Sequence, residues 1–148
     1  MGDWMKPLAV LLLASIVIQH SLAFQFDPSA IWKGIKKTLL GPHGNEYFEN
    51  SMKDAILPTL VGTVVSSTPA THPAEFLVAI EDDHTAEVQL RLEEPLGKPL
   101  PSGTKVSFEG VPYQFTKEPF MVNFNVENMN FRTEDPRKSE QPVTKKSK

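Results

Sequence analysis

Between Leu60 and Glu127 the chain alternates apolar and polar residues with a period of two. Val88, Leu90 and Leu92 alternate with Glu87, Gln89 and Arg91, and Phe120, Val122, Phe124 and Val126 alternate with Met121, Asn123, Asn125 and Glu127. Successive side chains of a strand point to opposite faces, so this period predicts strands with one buried and one wet face. The first runs from Leu60 to Ser66, with Gly62 at a point where a missing side chain lets a strand coil or bulge. The second places Phe76, Val78 and Ile80 on one face, and Glu81-Asp82-Asp83-His84 turns it into the third. A loop from Glu93 to Gly103, holding Pro95, Pro99 and Pro101, leads to a fourth strand over Thr104 to Glu109. That strand bends at Gly110 into Val111, Tyr113 and Phe115, and the last strand is Phe120 to Glu127.

Ahead of the strands the period changes. Asp27-Pro28 suits an N-cap followed by N1, because Pro has no N–H to leave unsatisfied in the first turn. Ile31, Ile35 and Leu39, with Trp32 and Leu40, form a stripe at helical spacing, Lys33, Lys36 and Lys37 fall elsewhere, and Gly41-Pro42 ends the helix. A basic amphipathic helix can lie on an anionic membrane; the favoured reading packs the stripe on the β domain. A second helix is predicted from about Glu46 to Ile56, with Tyr47, Phe48, Met52 and Ile56 apolar, before Pro58 stops it.

Leu8 to Ile18 is an unbroken run of small and apolar residues, preceded by Lys6 and followed by Gln19-His20-Ser21-Leu22-Ala23. This matches a secretory signal cut after Ala23. The run is short against the roughly 20 apolar residues that span a bilayer; an uncleaved anchor over Leu8 to Phe24 is the alternative. The expected organisation is a signal peptide (1–23), a helical segment (24–58), a β domain (59–131) and a disordered basic tail (132–148).

The formal charge of −3 is unevenly divided. Residues 59–127 carry ten acidic side chains against four basic ones, whereas 128–148 carry six basic against three acidic. The β domain is acidic and the tail basic. The chain has no cysteine, which removes disulfides, thiol nucleophiles and thiolate metal sites, so stability rests on packing. It also lacks an Asn-x-Ser/Thr acceptor, which fits a bacterial envelope protein better than a eukaryotic secreted one.

The passages "LVGTVVSS", "EFLVAIEDDHTAEVQLRL" and "PLPSGTKVSFEGV" resemble, in that order, a glycine-bearing first strand, a long hairpin of strands two and three, and the glycine-flanked entry into strand four of an OB-fold. The chain is also similar to uncharacterised exported bacterial proteins with a "YFENSMKDAILPTLVGTV"-like entry. The resemblance covers about half of the chain and implies a five-stranded Greek-key barrel, mainly β, preceded by two short helices. A small β-sandwich would show similar alternation.

The nucleic-acid habit of that fold does not carry over. Single-strand binding needs a basic groove with outward aromatic rings, and here the domain is acidic while the outward set on strand three is Glu87, Gln89 and Arg91. Phe76, Phe108, Tyr113, Phe115, Phe120 and Phe124 fall in phase with the inward positions.

Glu81, Asp82, Asp83 and His84 are the densest set of potential metal ligands, yet adjacent residues at a strand end diverge, and a solvated turn is the simpler reading. His43 and His72 lack zinc-ligand spacing, and neither a nucleophile elbow nor a phosphate loop is present. Glu93 and Glu94 read as a solvated strand end rather than a hydrolase pair. No cofactor is implied.

The expectation is therefore an exported, non-catalytic protein of the periplasm or beyond, acting as an interaction or adaptor module. The strand two–three face (Glu87, Gln89, Arg91) and the proline-rich loop (Pro95, Lys98, Pro99) are its candidate partner surface, for an envelope protein or a glycan. Rivals are oligosaccharide or small-ligand binding, which exposed Trp32, Tyr47 or Tyr113 would support, and metal-assisted hydrolysis at Glu81–His84. Membrane contact would come only from an uncleaved signal or the basic tail.

Overall fold

The computed structural model describes residues 27–134. The predicted signal, its cleavage site and the chain beyond Glu134 lie outside them. Helix α1 (Pro28–Leu40) begins where local chemistry asks: the Asp27 carboxylate accepts the Ser29 N–H at 3.0 Å, Pro28 follows, and the Gly41 N–H closes on the Thr38 carbonyl at 3.1 Å. Its stripe is turned into the core, with Trp32 and Leu39, two turns apart, fully buried and Leu40 left exposed.

A second helix, α2 (Gly44–Tyr47), runs into a single π-helical turn over Phe48–Met52. A β-carbon on Gly44 would collide with the Leu39 carbonyl, so only glycine lets the chain fold back this closely on α1. The helix ends at Met52 and not near Ile56, because Asp54 takes a left-handed conformation (φ 64°) and the backbone turns away. The Asp54 and Leu57 N–H groups then donate to the Pro112 and Gly110 carbonyls, at 3.1 and 3.2 Å. Ile56, expected on the apolar face, is 75% exposed.

Seven strands follow in place of the five expected: β1 (Leu60–Thr68), β2 (Glu75–Ala79), β3 (Ala86–Leu92), β4 (Lys105–Phe108), β5 (Val111–Lys117), β6 (Phe120–Val126) and β7 (Phe131–Thr133). They form one sheet in the order β5-β6-β3-β2-β1-β4-β7. All neighbours are antiparallel except β3 and β6. Only Glu109 and Gly110 separate β4, near one end of the sheet, from β5 at the other. The sheet must therefore curl, but among the described residues no strand pair joins β5 to β7 and it is not closed into a hydrogen-bonded barrel.

Inside the curl lie residues whose period marked them as inward, Phe76, Val78, Val88, Leu90, Val106, Phe108, Phe124 and Val126, joined by Leu60 and Val64. Phe108 meets Phe124 edge to face at 5.7 Å, and Phe76 stacks on Phe131 at 5.1 Å. Strand β7 carries Arg132 and Thr133, residues assigned to the tail on composition, so the β domain extends past residue 131.

Gly62 sits where β1 is shared between two partners, pairing with Val106 of β4 just before Thr63 takes up Ala79 of β2. A β-carbon there would stand 2.5 Å from Val78 Cγ1 and 2.6 Å from the Ala79 carbonyl. Gly62→Ala is expected to cost about 1–3 kcal/mol in urea unfolding, because the core must shift to admit a methyl group. Gly97→Ala, where nothing lies within 4 Å, should stay within about 0.5 kcal/mol.

Candidate functional site

The acidic connection between β2 and β3 sends its carboxylates in separate directions. Glu81 Oε2 accepts Lys36 Nζ of α1 at 2.7 Å. Asp82 Oδ1 accepts the backbone N–H groups of His84 and Thr85 at 2.9 and 2.6 Å, an Asx turn that lowers its pKa to about 2. Asp83 Oδ1 accepts Lys105 Nζ at 2.8 Å and the Thr63 hydroxyl at 3.1 Å, and the lysine holds its pKa below the ordinary value. His84 stays exposed, 3.8 Å from Asp82. Among the described residues no three His, Cys, Asp or Glu side chains are grouped to hold a metal ion.

Glu87, expected on the open face of the third strand, is buried. It does point away from Val88 and Leu90, but α1 covers it: Trp32 Nε1 donates to Oε2 at 2.7 Å and Lys36 Nζ to Oε1 at 3.1 Å. Lys36 thus bridges Glu81 and Glu87, with its ammonium 5.5 Å from the centre of the Phe120 ring. The Trp32 ring lies 6.0 Å from that of Phe120. Glu87 is a docking residue for α1 and is not available to a partner.

The rest of the strand two–three face is open. Gln89 is half-buried beside a depression of about 240 Å³ lined also by Ser66, Thr68, Glu75 and Leu77. Arg91 lies 5.2 Å above the Tyr113 ring, with Nε 3.7 Å from Glu75 Oε1. Tyr113 was placed inward by its spacing from Val111 and Phe115. It is instead the extra residue of a bulge, where the β5–β6 register jumps from Pro112 to Gln114, and it stands on the outer face under Arg91. Pro112, which cannot donate to a ladder, was the available sign of that irregularity. Next to Gln89 in the register, Asn123 buries an Oδ1 that has no partner among the described residues.

The proline-rich loop is held at several points. Leu96 N–H donates to the Pro73 carbonyl at 2.8 Å, and Asn128 clamps Glu94 through both its amide oxygen and its amide nitrogen, at 3.0 and 2.8 Å. Further along, the Ser67 hydroxyl donates to the Leu100 carbonyl at 3.2 Å. Leu96 and Leu100 pack on the core, while Pro95, Lys98 and Pro99 are exposed. Between this loop and β7 lies a cleft of about 210 Å³ lined by Leu96, Lys98, Pro99, Leu100, Phe131 and Thr133. Glu87 and the loop flank opposite ends of β3, roughly 20 Å apart at 3.3 Å per residue, so the structure does not join them in one surface.

Trp32, whose exposure would have favoured glycan stacking, is fully buried, and Tyr47 is half-buried. No helix among the described residues is long and apolar enough to cross a membrane. Comparison with protein-family models, with curated proteins and with solved structures found no match.

Removing Glu87 strands the buried Trp32 N–H. Glu87→Ala should destabilise the chain by about 1–3 kcal/mol and shift Trp32 emission to the red. The attachment of α1 should also depend on pH in a defined window. The Lys36 hydrogen bond holds Glu81 below its ordinary 4.5, and the Glu81 hydrogen bond holds Lys36 above its ordinary 10.5. The carboxylate contribution is complete above pH 4.5 and is lost as pH falls through the lowered value. The ammonium contribution is complete below pH 10.5 and is lost as pH rises through the raised one. Urea midpoints should therefore be highest between these limits; midpoints insensitive to pH in wild type, or equally sensitive in Lys36→Met, would contradict this.

Proposed function

We propose that this chain is an exported, non-catalytic envelope protein whose acidic β domain is an OB-like Greek-key barrel acting as a protein-interaction module. The barrel reading draws support from three features of the strand pairing. β1 pairs with β4 over Leu60–Thr63 and with β2 over Thr63–Thr68. A lone parallel pair, β3 with β6, sits among antiparallel ones. Read as one strand bent at Gly110, β4 and β5 together bridge β1 and β6, giving a five-stranded ring with β7 as an addition. Export rests on the sequence from Leu8 to Ala23.

The interaction reading is carried by the loop after β3. Loops that are tied down yet present side chains outward are where rigid scaffolds place recognition, and Pro95, Lys98 and Pro99 are held out on such a frame. The titrating carboxylates support a non-catalytic reading, since Glu81, Asp82 and Asp83 each serve a different structural partner and face no common cleft. Metal-assisted hydrolysis at Glu81–His84 gains no support from that arrangement. One observation favours a second reading, small-ligand or oligosaccharide binding on the outer face: the unpartnered Asn123 oxygen near Gln89 and its depression. Its weakness is the aromatic platform, because Arg91 occupies the Tyr113 ring.

An affinity pull-down of the chain beginning at Phe24 from envelope extract is expected to retain specific proteins. Replacing Pro95, Lys98 and Pro99 by serine should release them without lowering the melting temperature. Retention of glycans alone, or of nothing, would remove the interaction reading.

A further inference from the structure

Strand β7 ends the sheet, and one of its sides is unpaired among the described residues. The pattern of bonds says which groups face outward. Glu109 N–H donates to the Asn130 carbonyl and Glu134 N–H to the Lys105 carbonyl. Arg132, midway between and opposite Ser107, must by alternation turn its own N–H and C=O toward β4. Phe131 and Thr133 turn theirs away. The Phe131 N–H is closed on the Asn128 carbonyl, which leaves the Phe131 carbonyl and both Thr133 groups without a partner among the described residues.

This open edge borders the cleft walled on its other side by Leu96, Pro99 and Leu100, with Phe131 as its floor. Lys98 lines it, and Arg132 stands on β7 between Phe131 and Thr133, its side chain by alternation on the opposite face of the strand. In the β domain Lys105 is paired with Asp83, Arg91 with Glu75, and Lys117 donates to the Gly41 carbonyl. The side chains of Lys98 and Arg132, both exposed, have no ion pair or hydrogen bond among the described residues. An acidic domain thus carries its uncommitted positive charge beside an apolar cleft and a strand edge.

We propose that β7 receives an extended segment of a partner protein in which carboxylates alternate with aliphatic residues. The segment adds a strand to β7, seats one aliphatic side chain between Pro99 and Phe131 on the cleft face, and carries its alternating carboxylates on the face of Arg132, with Lys98 at the cleft adding to the positive field. Residues 135–148 of the chain itself carry five basic side chains against two acidic ones; they match the cleft in sign and are the poorer occupant. A second copy pairing edge to edge would bring like charges together. The inference rests on the interaction reading above and names its site and the chemistry of its partner.

The test uses the full exported chain and end-capped, fluorescein-labelled octapeptides alternating Glu with Leu or Val, with a matched set carrying Lys for Glu. Anisotropy is expected to show binding of the Glu set only. Thr133→Pro deletes an N–H that β4 does not use and should weaken that binding by about tenfold or more, whereas Thr133→Val should not. Lys98→Glu with Arg132→Glu, both on exposed side chains, should weaken the Glu set by about tenfold and favour the Lys set. Melting temperatures near wild type establish that the variants fold. Absence of binding by the Glu set, or binding indifferent to both changes, overturns the proposal. So does a concentration-dependent dimer that Thr133→Pro dissolves, which assigns the edge to a second copy. Envelope proteins retained equally by wild type and by Thr133→Pro would overturn the added strand and leave the interaction reading standing. Peptide binding without any retained envelope protein would support the cleft and remove that reading.

Discussion

A carboxylate on the outer side of β3 sets where α1 sits on the sheet. Stripping water from an ionised Glu costs several kcal/mol unless both oxygens find donors. Glu87 finds them only because α1 crosses here and brings Trp32 and Lys36, one turn apart, to its two oxygens. The apolar stripe of α1 would accept many orientations on a curled sheet. A hydrogen bond from an indole and an ammonium bridging to Glu81 accept few. Ion pairs of this kind contribute more to where an element sits than to how stable it is. The burial of Trp32 and Leu39 supplies the attraction, and Glu87 supplies the direction.

From that anchor the chain is tied forward to the far ends of the sheet. α1 leads through Gly44 into the π turn, whose Phe48 packs on Phe115 of β5 at 4.9 Å. Residues 54–57 then bond along the edge of β5. One end strand is thereby covered, and the other, β7, is left open beside the proline-rich loop. The two ends of the sheet therefore differ physically: one is met by residues 48–57, and the other has no strand partner beyond β7 among the described residues.

Features governed by neighbouring residues were legible in the sequence. Asp27, Pro28 and Gly41 mark α1 because caps act within a turn, and the period-two residues of β3 and β6 mark the core because each strand buries one face. Gly62 was read as a place for β1 to coil or bulge, whereas the register shift falls between Val64 and Ser66 and Gly62 instead admits the close approach of Val78 and Ala79. What could not be read depended on pairing across the fold. The second helix stops at Met52, where the backbone turns so that residues 54 and 57 reach the carbonyls of Pro112 in β5 and of Gly110 just before it. Tyr113 turns outward because of a bulge defined only by β6. Phe131–Thr133 is a strand only because β4 accepts it, and composition alone put Arg132 in a tail. Glu87 was the largest miss at the candidate surface: its phase was right and its burial was not, since phase cannot tell which outward residues a helix will cover. The loop residues Pro95, Lys98 and Pro99 were found in their exposed setting, but the cleft that Phe131 and Thr133 complete was not.

The claim on which this account turns is that α1 and the curled sheet form one cooperative unit joined through Glu87. In a chain beginning at Phe24, Trp32 is the only tryptophan, so its emission reports the helix contact while far-ultraviolet circular dichroism reports the sheet. Urea unfolding followed by both signals is predicted to give a single, coincident transition, as two-state behaviour requires. A Trp32 transition complete at lower urea, with the sheet signal unchanged, would show α1 to be an appendage and contradict the account.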